Sequence, residues 1–253
     1  MFPKIKCWKA FTIRVALVCQ LILQAVKVED TPWQGRTHLI SIDEKTGIQA
    51  LERIAFREMQ KGRKHRVDPE YKRHGTTTLI AAQEVSTGRL IHYQLGATRT
   101  EKDFEAFLQN LLEAFAQDEQ AILLLDHLNT HMSASIVELV ARLIGFTDDL
   151  GKKEYRGILQ NMNSRKAFLE DSTHRIRFVF TPKHCSWLNP VENWFSQLQR
   201  HVITRGNFHS VKELEDKVRA YIDYYNRCLA KPLKWKFSGF LKAAEKQEKR
   251  KET

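Results

Sequence analysis

Three acids far apart in the sequence stand where acids can do chemistry. Asp43 follows the apolar run in "THLISIDEKTG", Asp126 ends "AILLLD", and Glu192 lies in "LNPVENWF". Gathered in one place, three carboxylates repel one another, and their pKa values rise unless a cation intervenes. Oxygen ligands without thiolate or imidazole partners suit a hard cation, Mg2+ or Mn2+. Two such ions about 4 Å apart can activate a water or a 3′-hydroxyl and stabilise the leaving oxygen of a phosphodiester. The chemistry suggested is therefore that of a nuclease or strand transferase, with Asp43, Asp126 and Glu192 as catalytic metal ligands. Singly, each acid has another reading. An acid after a strand is commonly a solvated loop residue, and Glu192 fits a capping box with Asn189 as N-cap and Pro190 opening the helix.

The elements that must position these acids follow from apolar periodicity. Residues 37–47 read as a strand closing in a loop that bears Asp43, and 75–97 as a hairpin turning at Ser86 to Gly88. A helix capped by Thr100 and Asp103 carries Phe104, Phe107, Leu108, Leu111, Leu112 and Phe115. "AILLLD", apolar on both faces, reads as a central strand covered on each side. A helix over about 133–144, an irregular segment over about 145–174 and a strand over 175–182 follow. Trp194, Phe195 and Leu198 share a face of the helix carrying Glu192. Ser210 and Glu213 start another, with Val211, Leu214, Val218, Tyr221 and Tyr225 on one side. This order implies an α/β fold with a mixed five-stranded sheet, whose ligands gather at the carboxyl ends of strands. Asp43 and Asp126 occupy such ends.

The bulk properties agree with a DNA-directed site. The 253 residues are 42% hydrophobic and 10% aromatic, which suits one large domain rather than a disordered chain. The net charge of +11 favours a polyanionic partner. Four scattered cysteines suggest neither zinc nor disulfides and suit a reducing cytoplasm. The N-terminal apolar run imitates a signal peptide, but Arg14, Gln20 and Gln24 interrupt it. It reads as too short to cross a bilayer, with no cleavage site after it. Val15, Val18, Ile22 and Val26 fall at helical spacing, so an amphipathic helix with no membrane partner is expected. The basic run 57–75 offers Arg63, Lys64, Arg66, Lys72 and Arg73 to DNA phosphates, and Lys183 and His184 lie close before Glu192. An ordinary solvated loop is the alternative for that run. Asn129 and His131 could position substrate, with Asn129 or Thr130 as a local turn or cap residue the simpler account, and Trp187 could be core or base-stacking.

Four blocks, "SIDEKTGIQALER", "YKRHGTTTLIAA", "LLLDHLNTH" and "TPKHCSWLNPVENWFSQLQR", in this order, resemble the DDE transposases of bacterial insertion sequences, the insertion-sequence six-thirty family of the mariner superfamily. The resemblance spans roughly residues 36 to 238. It implies an RNase H-like catalytic domain over 36–240, with a helical insertion at about 145–174 before the last strand. Residues 1–35 would form a helix and linker, and 241–253 a charged, solvated tail. It implies the triad Asp43, Asp126 and Glu192, two Mg2+ or Mn2+ ions, cleavage at transposon ends and attack of the freed 3′-hydroxyl on target DNA. A homodimer on DNA in a bacterial cytoplasm, at the nucleoid, belongs to the same expectation.

Two departures qualify the resemblance. The spacer of 65 residues between Asp126 and Glu192 is about twice the family's usual length, and the insertion accounts for the excess. The insertion is expected to lie away from the metals, with Asp148, Asp149 and Asp171 outside the ligand set. The segment before about residue 36 is too short for the family's helix-turn-helix modules, so the catalytic half alone is expected, with a separate helix-turn-helix subunit as a candidate partner. The rival readings are an inactive DNA-binding relic that inhibits full-length relatives and a host nuclease or resolvase of the same fold.

Overall fold

The structure is a computed structural model that describes residues 7–27, 36–53 and 70–239. Five strands form one sheet in the order β3-β2-β1-β4-β5: β1 Thr37–Arg53, β2 Tyr71–Glu84, β3 Leu90–Gly96, β4 Gln120–Leu125 and β5 Ile176–Phe180. β1, β2 and β3 are antiparallel neighbours, while β4 pairs parallel with both β1 and β5. This is the mixed sheet that the order of elements predicts, with crossover helices joining the parallel strands.

β1 departs from its expected length. The loop predicted around Asp43 is strand, and the ladder with β2 continues to Arg53 opposite Tyr71. The reason is that β1 has two partners of unequal reach. Its parallel pairing with β4 stops at Ser41 opposite Leu124, and beyond that β2 is its one partner, with Thr46 and Gly47 exposed. Polar sequence there read as loop. Register shifts between Lys45 and Ile48 kink the ribbon at Gly47, whose φ of 63° suits glycine.

Among the described residues, six α-helices cover the two faces: α1 Trp8–Val26, α2 Glu101–Leu112, α3 Ala134–Ile144, α4 Met162–Leu169, α5 Val191–Leu198 and α6 Val211–Tyr224. Because side chains alternate along a strand, Ile40, Ile42, Leu123, Leu125, Phe178 and Phe180 face α2, α3 and α4 in one core. On the opposite face, α5 and α6 pack Trp194, Phe195, Leu198, Leu214, Val218 and Ile222 over β1 and β2. Beside them α1 lays Val15, Val18, Cys19 and Ile22 on Leu39, Ile122, Leu124 and Val179. At 19 residues α1 is long and apolar enough to cross a bilayer, contrary to the sequence reading, but its buried stripe lies on the sheet.

The segment 145–174 contributes to the core. Leu159, Phe168 and Leu169 belong to the core beside β4 and β5, because α2 and α3 leave the β5 side of that face for α4 to cover. Residues 230–239 run as a strap on the other face. At its start Lys231 passes so close to Gly88 that a Cβ there would meet its carbonyl oxygen at 2.0 Å. Farther along, Leu233, Trp235 and Phe237 pack against the cluster built by α1.

α2 carries the capping box read from sequence. Thr100 Oγ1 accepts from the Asp103 amide, and Asp103 Oδ2 accepts from the Thr100 amide at 2.7 Å. Thr100→Ala is expected to lower stability by about 1 kcal/mol, read from the urea midpoint at unchanged slope.

Candidate active site

The pairing register brings the two aspartates together. Parallel partners in β1 and β4 differ by 83 in number, from Thr37 with Gln120 to Ser41 with Leu124. The same offset continued two residues points Asp43 toward Asp126, and the charge of Asp126 reaches the Asp43 carboxyl. Asp43 is buried, 9% exposed, and Asp126 sits just past the end of β4 with its side chain 33% exposed. The Glu44 amide donates to Asp43 Oδ1 at 2.8 Å, and the Leu128 amide to Asp126 Oδ1 at 3.0 Å.

Glu192 is the second residue of α5, half-buried, with Pro190 rather than Asn189 at the N-cap. The predicted capping box is absent. Asn189 turns inward instead, 1% exposed, and its Nδ2 donates to the Ile42 carbonyl at 2.9 Å and to Asp43 Oδ2 at 3.0 Å. The cap is supplied from the sheet, where Ser41 Oγ accepts from the Val191 amide at 2.8 Å. Ser41 also donates to Asn189 Oδ1. A helix docked on a sheet can thus take its cap from the neighbouring strand, a substitution invisible to local pattern. Glu192 stays near the positive end of the helix dipole, which favours an ionised carboxylate.

Electrostatics report that the three acids share one region. Burial is the main force pushing the Asp43 carboxyl up to about 6, and the charges of Glu192 and Asp126 add to it. The Glu44 amide and Asn189 oppose the rise. Among the described residues, no three His, Cys, Asp or Glu side chains close around a point able to hold a metal ion. Asp43 thus feels the charge of both other carboxylates.

A histidine completes the site from beneath. His131, fully buried, lies with Nδ1 3.0 Å from Asp126 Oδ1 and Nε2 3.5 Å from Glu44 Oε1, the latter an ion-pair separation rather than a hydrogen bond. Burial opposes its charge, but hydrogen bonding and attraction from Asp126 and Glu44 outweigh that and lift its pKa to about 9. Burial would likewise raise Asp126, yet His131 and the Leu128 amide hold it below the usual range. Glu44, its side chain 3% exposed, is also paired with Arg99 at 3.1 Å. His131 therefore bridges Asp126 and Glu44. Glu44 and Ser41 were missed. Ser41 is a polar residue between Ile40 and Ile42, an anomaly that could have marked it, whereas Glu44 sits in a polar run that gives no such signal.

Basic groups border the acids. Lys166 of α4 donates to His127 Nε2 at 3.0 Å, and His127 Nδ1 meets the Thr181 carbonyl at 2.6 Å. Burial first, and then the charge of Lys166, keeps His127 below its ordinary pKa. Lys183 and His184 are exposed in the turn after β5, and the charge of Lys183 is felt at Lys166. On the other side Glu192 lines a groove with Lys45, Gln199, Arg200, Thr204 and Arg205. Lys72 and Arg73 are exposed on β2 opposite Glu52 and Leu51. From Asp43 to Glu52 the ribbon advances about 30 Å, so these two stand well away from the acids. Arg63, Lys64 and Arg66 lie outside the described residues. Asp149 pairs with Arg156, and Asp171 caps the Thr173 amide. Trp194, Phe195 and Leu198 are core, whereas Trp187 is 51% exposed beside Phe237.

The family model described as DDE superfamily endonuclease matches residues 38–215. No curated protein matches the chain. Among solved structures, a Mos1 mariner paired end complex with Mn is similar at 16% identity and a TM-score of 0.54, covering 98% of this chain and 65% of that one. A Mos1 transposase paired-end complex with left transposon end is similar at 13% identity and a TM-score of 0.50, covering 93% and 60% respectively. The chain thus spans less than two thirds of the length of either. At such identity the likeness establishes the fold, which is RNase H-like. With the family model matching most of the chain, it follows that the chain belongs to the DDE superfamily endonucleases.

Proposed function

We propose that the chain is the catalytic domain of a DNA transposase of the insertion-sequence six-thirty type, cleaving DNA strands and transferring the freed 3′-hydroxyl with a divalent metal. The observation that carries this reading is the gathering of Asp43, Asp126 and Glu192, from three distant segments, into one region where Asp43 feels the charge of the other two. Their donor chemistry fits Mg2+ or Mn2+, since a hard cation would relieve the repulsion and burial that hold Asp43 high. Asp43, Asp126 and Glu192 would hold it, as one or two ions. When bound, such ions activate the attacking oxygen and stabilise the leaving one.

The chain's own residues do the rest. His131 orients Asp126 from below, and Lys166, Lys183, His184, Arg200 and Arg205 attract phosphates to the acids' margin. The similar structures are Mos1 complexes with Mn and with a transposon end, which supports a metal and DNA as partners. Lys72 and Arg73, with the neighbouring basic run, are assigned to DNA farther along the ribbon. A homodimer on DNA in a bacterial cytoplasm and a separate helix-turn-helix subunit complete the proposal.

The test is nicking of supercoiled plasmid carrying the element's ends. Nicked circles are expected with Mg2+ or Mn2+ and not with EDTA. Binding without nicking, even with a helix-turn-helix subunit added, would favour the inactive relic instead.

A further inference from the structure

Of the three acids, Asp43 and Asp126 are fixed by strand register, but Glu192 rides on a separate helix. The apolar residues that dock α5, Val191, Trp194, Phe195 and Leu198, hold it on the sheet without fixing its axial position, because hydrophobic contact is non-directional. Directional bonds must do that. The only hydrogen bonds described between the start of α5 and β1 are those of Ser41 and Asn189.

We propose that Ser41 and Asn189 form a latch that sets the position of Glu192 relative to Asp43, and that they are positioning residues for the metal-dependent reaction. The proposal rests on the endonuclease reading above. Pro190 has no amide hydrogen, so the Val191 amide is the first donor of the helix, and it goes to Ser41 Oγ at 2.8 Å. By strand alternation Ser41 lies on the same face of β1 as Asp43. The strand that carries the first acid therefore also caps the helix that carries the third. Asn189 ties the same two elements again, accepting from Ser41 and donating to the Ile42 carbonyl and to Asp43 Oδ2. Its bond to Asp43 also restrains the carboxylate oxygen, as partners outside a ligand set commonly do for metal ligands. Both residues are fully buried, 0% and 1% exposed, so water does not replace these bonds. The latch spans nearly 150 residues of sequence while separating the two acids by a few bonds.

The test uses Mn2+ as probe on the full chain, with Ser41→Ala, Asn189→Ala and, as a control for lost stability, Leu214→Ala in the core under α6. Two quantities are read: the Mn2+ concentration for half-maximal nicking, and Mn2+ binding by the DNA-free protein followed by electron paramagnetic resonance. Ser41→Ala is expected to raise both by about tenfold and Asn189→Ala by more, within the range for partners outside a ligand set. Leu214→Ala is expected to leave both unchanged at a temperature where it is folded. Should Asn189→Ala fail to fold, Ser41→Ala carries the test, since it removes one hydroxyl from a strand that keeps its ladder. Wild-type midpoints in Ser41→Ala, or an equal shift in Leu214→Ala, would overturn the latch and leave the endonuclease reading standing. A wild type that neither binds Mn2+ nor nicks DNA would overturn both.

Discussion

Asp126→Asn is expected to abolish metal-dependent nicking, by on the order of a thousandfold or more, and to leave the fold intact. Each tenfold in rate is about 1.4 kcal/mol, and a metal-held charge contributes several kcal/mol in the transition state. The fold survives because Asp126 is past the end of β4 and an Asn oxygen can still accept from the Leu128 amide. What is lost is one carboxylate charge and the ion pair with His131. Glu192→Gln is expected to behave alike, because no hydrogen bond of α5's cap depends on it. Asp149→Asn, in the segment between α3 and α4, is expected to nick at the wild-type rate. Gel quantification of nicked circles over a Mn2+ series decides the matter, and undiminished activity in Asp126→Asn would remove the proposed mechanism.

Asp43→Asn is expected to stabilise the metal-free protein near neutral pH while destroying its activity. The sign follows from linkage. The folded-state carboxyl titrates at about 6, above its unfolded value of 3.8, so the native state binds more protons between those limits and stability falls as pH rises through them. Above pH 6 the charged, buried carboxylate costs about 3 kcal/mol. Asn removes that cost but places a donor where Asp43 Oδ2 accepts from Asn189, giving back about 1 kcal/mol. A net gain of about 1–2 kcal/mol is expected at pH 7.5 and none at pH 4, measured by urea unfolding in EDTA. Millimolar Mn2+ should reverse the order, because it binds the native wild type alone. An equal gain at both pH values would show that the carboxylate charge is not the cause.

The sequence carried the fold in residues whose local signals agree with their surroundings. The α2 capping box and its apolar stripe, the two-sided apolar run of β4, and the hairpin turn near Gly88 all stand where pattern put them. The element order was enough to imply the mixed sheet. What failed to show was decided by partners distant in sequence. β1 continues past Asp43 because β2 pairs with it there, and nothing in "EKTG" announces that partner. Asn189 and Pro190 look like a helix start, yet the cap comes from Ser41. His131 looked like one histidine among ten, and only the fold places it between Asp126 and Glu44. In the candidate site, strand ends and a helix start could be read from pattern, and the groups that contact them from distant segments could not.

The strap of residues 230–239 imposes an order on how the molecule can be made. α1 is complete at Val26, but part of the cluster around it, Trp235 and Phe237, is synthesised only after every strand of the sheet. During translation the ribosome therefore releases a helix whose apolar stripe lacks its full cover until residues 235–237 have been made. Contacts of such long sequence separation form late and slowly. A holdase that masks the nascent α1 would raise the yield of soluble protein, and moving α1 to follow Gly239 in a circular permutant would make that helper unnecessary.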